Sequence, residues 1–372
     1  MIQLNLSKQR AEELLVQHPE WAELRDSYEE ALRHGFVSPQ ELKFFLSDTN
    51  ACGVVRSDEV AGAVNKYARP HRADCKALTT PSDLSVMTCA IMQRQRSPGL
   101  TSFIERIRKE GHKVFYDLDD DLFSVPEEFT HVYDTYSQPE VQESIRAIMR
   151  ACDGVTVASE VLGTRVKEEL GDDTPVIYIP NAIDLGTWYP SNPTVESPAI
   201  IGWMASGTHT YDCSLLDEVM PLVVEALGYR NVLVEIIGNV SNKAVEKWGV
   251  PYRQLPWTPY HKLPAIMSRW TCGMAPVQRN TFNDCKSSIK ALQYWGLEKP
   301  IVVSSSPVYD GVVEHGINGF SVESAVEWAE ALVTLVKDVD LRLKMGHNGY
   351  NTVVENYDLK DRVWDWISLG SR

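Results

Sequence analysis

A chain of 372 residues has room for one large or two medium domains with a sizeable core. Hydrophobic residues make up 44% and charged residues 23%, the balance of an ordinary globular protein. The net charge of −15 argues against general nucleic-acid affinity, and no apolar run approaches the roughly 18 residues of a membrane span.

The opening MIQLNLSK is no signal peptide, so a cytoplasmic location is expected. Residues Ser7 to Gly35 read as two helices, with Ser7 as a cap and Trp21, Leu24, Tyr28 and Leu32 at helical spacing. They form an N-terminal helical extension over residues 1–40. Alternating βα units follow. Leu42–Leu46 reads as a strand, Thr49–Ser57 as a loop, and Asp58 as the cap of a helix carrying Val60, Ala63, Val64 and Tyr67 on one face. Strands are expected at Lys76–Leu78, Ser85–Met92, Val114–Asp117, Val155–Ala158 and Val176–Ile179. Helices are expected at Thr101–Gly111, Pro139–Ala151 and Glu160–Leu170. This alternation argues a parallel sheet covered on both faces.

Pro180-Asn181-Ala182-Ile183-Asp184 closes that half, and the proline-containing stretch Trp188 to Pro198 reads as a linker. A second series begins with strand Ile200–Met204 and a glycine-containing loop, ASGTHTYD, holding Gly207 and His209. Next come helix Ser214–Leu227, strand Val232–Ile237, the stretch WTPYHKL with Trp257, and strand Gly273–Val277. The loop Asn283-Asp284-Cys285 then leads into a helix from Lys286 to Trp295, which Gly296 ends before strand Ile301–Val303. Helices Ala325–Val336, Leu341–Tyr357 and Asp358–Trp366 complete the chain.

The stretch from Phe282 to Ser305 carries the clearest chemistry. A helix N-terminus bears about half a positive charge and unpaired N–H groups. Lys286, Ser287, Ser288 and Lys290 in its first turn can hold a diphosphate; the plainer alternative is a surface helix with solvated lysines. No Gly-x-Gly-x-x-Gly follows a strand, and there is no Walker loop, nucleophile elbow or H-E-x-x-H, which disfavours dinucleotide oxidoreductases, P-loop NTPases and serine or zinc hydrolases. In YDLDDDLF, Asp117, Asp119, Asp120 and Asp121 gather at a strand's C-terminal end, where α/β sheets bind ligands. Gly53, Arg56 and Arg94 lie at corresponding strand ends. Clustered carboxylates suggest a metal, hydrogen bonds to an acceptor, or structural capping, and either arginine pairs with them or meets a ligand. The seven cysteines are odd in number and never spaced C-x-x-C, so reduced thiols are expected.

FNDCKSSIKALQYWGLEKPIVVSS, the following SSSPVYDGVVEHGINGF, and the connector PNAID resemble family 4 glycosyltransferases, retaining nucleotide-sugar enzymes of the GT-B fold, some of which serve bacteriophages. The resemblance runs from about residue 42 to 366. It implies two Rossmann-like α/β domains facing across a cleft. An acceptor domain would span residues 41–185 with the last helix, 358–372, packing back on it; a donor domain would span 186–357. It implies donor contacts from Gly207, His209, Trp257, Asp284, Lys286, Ser287, Ser288, Lys290 and Gln293. Lys286, Asp119 and Asp120 would serve catalysis, and Gly53, Arg56 and Arg94 the acceptor.

Two departures stand out. Of the paired glutamates that many family members carry, the second position is Gln293 and the first is Cys285, beside Asp284. The usual Arg and Lys after the donor domain's first strand are missing, leaving Lys286, Lys290 and Arg279 to supply positive charge.

The implied reaction moves a sugar from a nucleotide-diphosphate sugar, a UDP-sugar favoured, to a hydroxyl, with no further cofactor or metal required. From Arg56 to Lys113 the chain carries eleven Lys/Arg against six Asp/Glu. This basic segment fits an anionic acceptor or a solvated face. It permits hydroxymethylated phage DNA, an anionic or lipid-linked glycan, or a protein. A GT-B sugar-nucleotide epimerase and a non-catalytic donor-binding scaffold are the alternatives.

Overall fold

A computed structural model of the chain describes residues 40–47, 51–69, 71–77, 87–190, 197–205, 209 and 211–371. The predicted N-terminal helices and Gly207 lie outside the described residues. The chain forms two compact units. The first takes residues up to Phe123, then Asp134–Asp184, then the chain from Glu355 onward; the second takes Ser124–Tyr133 and Leu185–Val354.

The first unit is built on a six-stranded parallel sheet of β1 (Glu41–Leu46), β2 (Arg72–Ala77), β3 (Cys89–Gln93), β4 (Lys113–Leu118), β5 (Gly154–Val157) and β6 (Val176–Tyr178). Their order is β2-β1-β3-β4-β5-β6. Register is set by pairs such as Phe44↔Ile91 and Tyr116↔Val155. β3 (CAIMQ) and β5 (GVTV) are buried at every position, as expected of parallel strands covered on both faces. The helix Glu59–Tyr67 and the last helix, Leu359–Ile367, cover the sheet with Val60, Val64, Val363 and Trp366 in one core.

The sequence reading is corrected here in its strand bounds, β2 starting at Arg72 and β3 at Cys89, and in one loop. Residues expected as a loop before Asp58 are helical: a turn at Ala51–Gly53 runs through a wide π-turn, Val54–Asp58, into the helix Glu59–Tyr67. Asp58 therefore sits inside helical backbone and makes no side-chain cap bond.

The second unit repeats the plan with β7 (Ala199–Ala205), β8 (Val232–Gly238), β9 (Tyr252–Leu255), β10 (Cys272–Ala275), β11 (Ile301–Ser304) and β12 (Gly319–Val322). All six run parallel in the order β12-β11-β10-β7-β8-β9. Its core gathers Trp203, Met220, Val234, Trp248, Met274 and Leu332. The start of the expected linker is anchored here: Trp188 is fully buried and its indole N–H donates to the Tyr260 hydroxyl at 3.1 Å.

The strand order reverses between β7 and β10, and in open α/β sheets the crevice outside such a point takes the ligand. Two loops leave it, one after Ala205 and one after Ala275. No helix among the described residues is long and apolar enough to cross a membrane, and the seven cysteines are free thiols.

Candidate functional site

The two loops at the switch point of the second sheet are cross-linked. Gln278, from the loop after β10, donates its backbone N–H to Asp212 Oδ1 at 2.8 Å and its amide to the Tyr211 carbonyl at 2.8 Å. Asn283 Nδ2 donates to the Gln278 carbonyl at 2.9 Å and reaches Asp212 Oδ1 at 3.5 Å. Val277 N–H donates to Ser304 Oγ at 2.9 Å, tying the same loop to the end of β11.

The predicted helix from Lys286 divides in two. Asn280 caps a separate turn, Thr281–Asp284, by accepting from the Asn283 N–H at 2.8 Å. The main helix begins three residues later than expected and runs Ile289–Gly296, with Ser288 as its N-cap residue. Lys286, Ser287 and Ser288 thus lie in the entry to the helix, and of the four only Lys290 is in its first turn.

His209 is brought to Lys290, their Nε2 and Nζ atoms 2.7 Å apart, and its Nδ1 lies 2.6 Å from Asp212 Oδ2. The imidazole is buried beside Trp203. Burial holds its pKa well below the usual histidine value, and the Lys290 and Lys286 charges push the same way. Burial raises Asp212 to about 6 against the opposing pull of Lys286, the Gln278 N–H and Lys290.

The Lys286 ammonium stands over two aromatic faces, 5.1 Å from the Phe282 ring centre and 5.9 Å from that of Phe129. Phe129 comes from the Ser124–Tyr133 segment and packs edge-on against Phe282 at 5.4 Å. Gln293 is buried one turn along the helix from Lys290. Trp257 is 54% exposed in the loop after β9, at the same C-terminal edge of the sheet. Asp284 is paired with Arg279 by two bonds of 2.8 and 3.1 Å, so Arg279 brings little net charge to the site.

In the first unit both candidate arginines are engaged with the Asp cluster. Arg56 is 1% exposed. It donates to Asp117 at 3.1 and 2.6 Å, to the Ile179 carbonyl at 2.6 Å and to Asn181 at 3.2 Å, with its guanidinium 4.7 Å from the Trp366 ring centre. Arg94 has left-handed backbone (φ 47°), bonds Asp119 at 2.5 Å and also bonds Asp120. Gly53 is buried in the helical turn beside Cys52. Burial raises Asp119 above the usual carboxylate range despite Arg94. The Cys52 sulfur and oxygens of Asp119 and Asp120 lie within 4.8 Å of one another. A cation there would compete with the Arg94 guanidinium, which already bonds both carboxylates.

The sequence reading missed Asp212, Gln278, Asn283 and Phe129. Only Asp212 carried a signal, an acid three residues after a loop histidine.

Residues 200–338 match the family model described as "Glycosyl transferases group 1". A glycosyltransferase from Rickettsia africae superposes with a TM-score of 0.64 at 13% identity, covering 90% of this chain and 98% of that one. The fold is GT-B. Anabaena HepE in complex with UDP-glucose gives a TM-score of 0.62 at 12% identity, over 88% of this chain and 98% of that one. A TarM mutant of S. aureus, in complex with fondaparinux, α-GlcNAc-glycerol and UDP, gives 0.58 at 16% identity over 76% of this chain. The chain matches 55% of that TarM structure's length. No curated protein matches the sequence.

Proposed function

We propose that this protein transfers a sugar from a nucleoside-diphosphate sugar, a UDP-sugar favoured, to a hydroxyl acceptor. The observation that carries this is the gathering of Lys286 and Lys290 at the entry to helix Ile289–Gly296, at the switch point of a parallel sheet. Departure of a diphosphate leaves negative charge on its oxygens. Two ammoniums and a helix N-terminus held in place stabilise that charge without reorganising during the reaction. Ser287 and Ser288 offer hydroxyls to the same group, Gln293 an amide to the ribose, and the exposed ring of Trp257 a face for the base. The group 1 match and the UDP-bound HepE and TarM structures support this donor class.

Retention goes with this reading. The bond from the anomeric carbon to the phosphate oxygen breaks, the acceptor oxygen bonds that carbon on the same face, and its proton passes to the departing phosphate oxygen. In the first unit, Arg94 and Asp120 keep side-chain exposures of 10% and 22%, and are the residues we assign to the acceptor. Arg56, closed in by Asp117 and Trp366, is assigned to shaping the strand ends.

Donor hydrolysis followed by mass spectrometry across UDP-, GDP- and ADP-sugars tests the reading. One nucleotide should be released, and Lys286→Ala should slow release about a hundredfold or more, the scale of losing one preorganised charge donor. Unchanged release in Lys286→Ala would sink it, and isomerised donor without release would mean an epimerase. Adding hydroxymethylated DNA, glycans or proteins in separate arms identifies the acceptor by its gain in mass.

A further inference from the structure

The contact between the two switch-point loops centres on one carboxylate. Asp212 is 1% exposed, and its two oxygens have different duties. Oδ1 accepts the Gln278 N–H from the loop after β10 at 2.8 Å. Oδ2 stands 2.6 Å from His209 Nδ1, and across the ring His209 Nε2 is 2.7 Å from Lys290 Nζ. An ammonium donates and has no lone pair. Nε2 must therefore be the acceptor, and Nδ1 carries the proton given to Asp212.

We propose that Asp212 is a positioning residue for Lys290. It fixes the tautomer of His209, and His209 in turn holds the Lys290 ammonium in the first turn of helix Ile289–Gly296, ready for the donor diphosphate. This rests on the nucleoside-diphosphate-sugar reading above and deepens it. It also gives His209 a different task from a direct donor contact, since both of its ring nitrogens are engaged within the protein.

The advantage is preorganisation. A lysine has four rotatable bonds, and ordering it only when the ligand arrives weakens binding. Here the ring is buried beside Trp203, with Lys286 and Lys290 the cations acting on it and Asp212 its acid partner. The Lys290 head group is therefore located before any donor binds.

Asp212→Asn separates this role from a structural one. The Gln278 N–H needs an oxygen, so the new amide turns its oxygen to Gln278 and its NH2 to His209 Nδ1. The ring must then accept at Nδ1 and carry its proton on Nε2, where it meets the Lys290 ammonium donor to donor. Calorimetry with UDP as the probe should show binding at least tenfold weaker in both Asp212→Asn and Lys290→Ala. The double variant should bind no more weakly than Lys290→Ala alone, because the two act through one group. Long-range ¹⁵N–¹H NMR should find His209 protonated at Nδ1 in the native protein and at Nε2 in Asp212→Asn.

A folded Asp212→Asn protein that binds UDP normally would overturn the proposal, as would losses that add in the double variant. So would an Nε2–H tautomer in the native protein, a result that needs no variant to fold. If the native protein binds none of UDP, GDP and ADP, the donor reading falls instead, and the tautomer alone decides whether Asp212 sets the ring.

Discussion

At the scale of single residues, the second-unit site keeps an ionisable group where burial opposes its charge. Asp212 has a pKa of about 6 in the folded protein against an ordinary value of 3.8. A raised carboxyl pKa gives stability that is fully present below about 4 and lost as pH rises through about 6. At one pKa unit per 1.36 kcal/mol, the loss by pH 7 is on the order of 3 kcal/mol. His209, held neutral, works in the opposite direction, and the largest cause of its shift, burial beside Trp203, is kept in Asp212→Asn. Urea unfolding of both between pH 4 and pH 7 should therefore show the variant gaining on the native protein as pH rises, with most of the change before pH 6.5. A flat difference would mean that the carboxylate is not penalised by burial. Sequence reading placed Lys286 and Lys290 as candidates because their residue type announces its chemistry, and His209 and Gln293 because the family resemblance implied them. It missed the bond from His209 to Lys290, because contacts between residues 81 positions apart are made by the sheet and not by spacing.

At the scale of elements, central strands were legible and edges only in part: edge strand β6 was expected at Val176–Ile179 and is Val176–Tyr178. β10 and β11 read as continuous apolar runs, and both are fully buried. β9, at the sheet edge, has no clean alternation in its burial and was not read as a strand. The helix starts later than expected because Lys286 shares a helical spacing with Lys290 and Gln293 that the chain takes up only after Ser288.

What the sequence could not reveal is why β7 and β10 carry glycines inside their buried runs. A β-carbon on Gly202 would stand 1.9 Å from Trp270 Cδ2, and one on Gly273 would stand 2.3 Å from Tyr294 Cδ2. Neither ring has room to retreat. Trp270 donates its indole N–H to the buried Glu235 at 2.8 Å, while the Tyr294 hydroxyl accepts from Met204 N–H at 3.2 Å and donates to the Met274 carbonyl at 3.3 Å. Overpacking of this kind costs about 1–3 kcal/mol. Gly273→Ala should lose that much in urea unfolding, and should weaken UDP binding too, because Tyr294 and Lys290 share one helix. Native stability in Gly273→Ala would contradict the packing described.

At the scale of the whole molecule, the order of the chain is not the order of its units. The polypeptide leaves the first unit at Ser124, returns at Asp134, leaves again at Leu185, and comes back for good at Glu355. The connector PNAID is met on its return. Ile183 donates its N–H to the Tyr357 carbonyl at 3.1 Å and accepts from the Leu359 N–H at 2.9 Å. The last helix then brings Leu359, Val363, Trp366 and Ile367 into the first unit's core. Trp366 meets Phe44 edge-on at 5.4 Å and lies under the Arg56 guanidinium, whose carboxylate partner Asp117 is on β4. One side chain near residue 370 thus supports a sheet that begins at residue 41. Truncating a buried tryptophan to alanine costs about 3–5 kcal/mol, a large share of the roughly 5–15 kcal/mol that holds a domain folded. In Trp366→Ala the loss should fall on the first unit. Hydrogen exchange read by mass spectrometry should find peptides from β1 to β6 exchanging faster, while those from β7 to β12 keep their native protection. Equal loss in both sets would mean that the two units unfold as one. Undiminished protection in the first set would mean that the last helix is not part of its core.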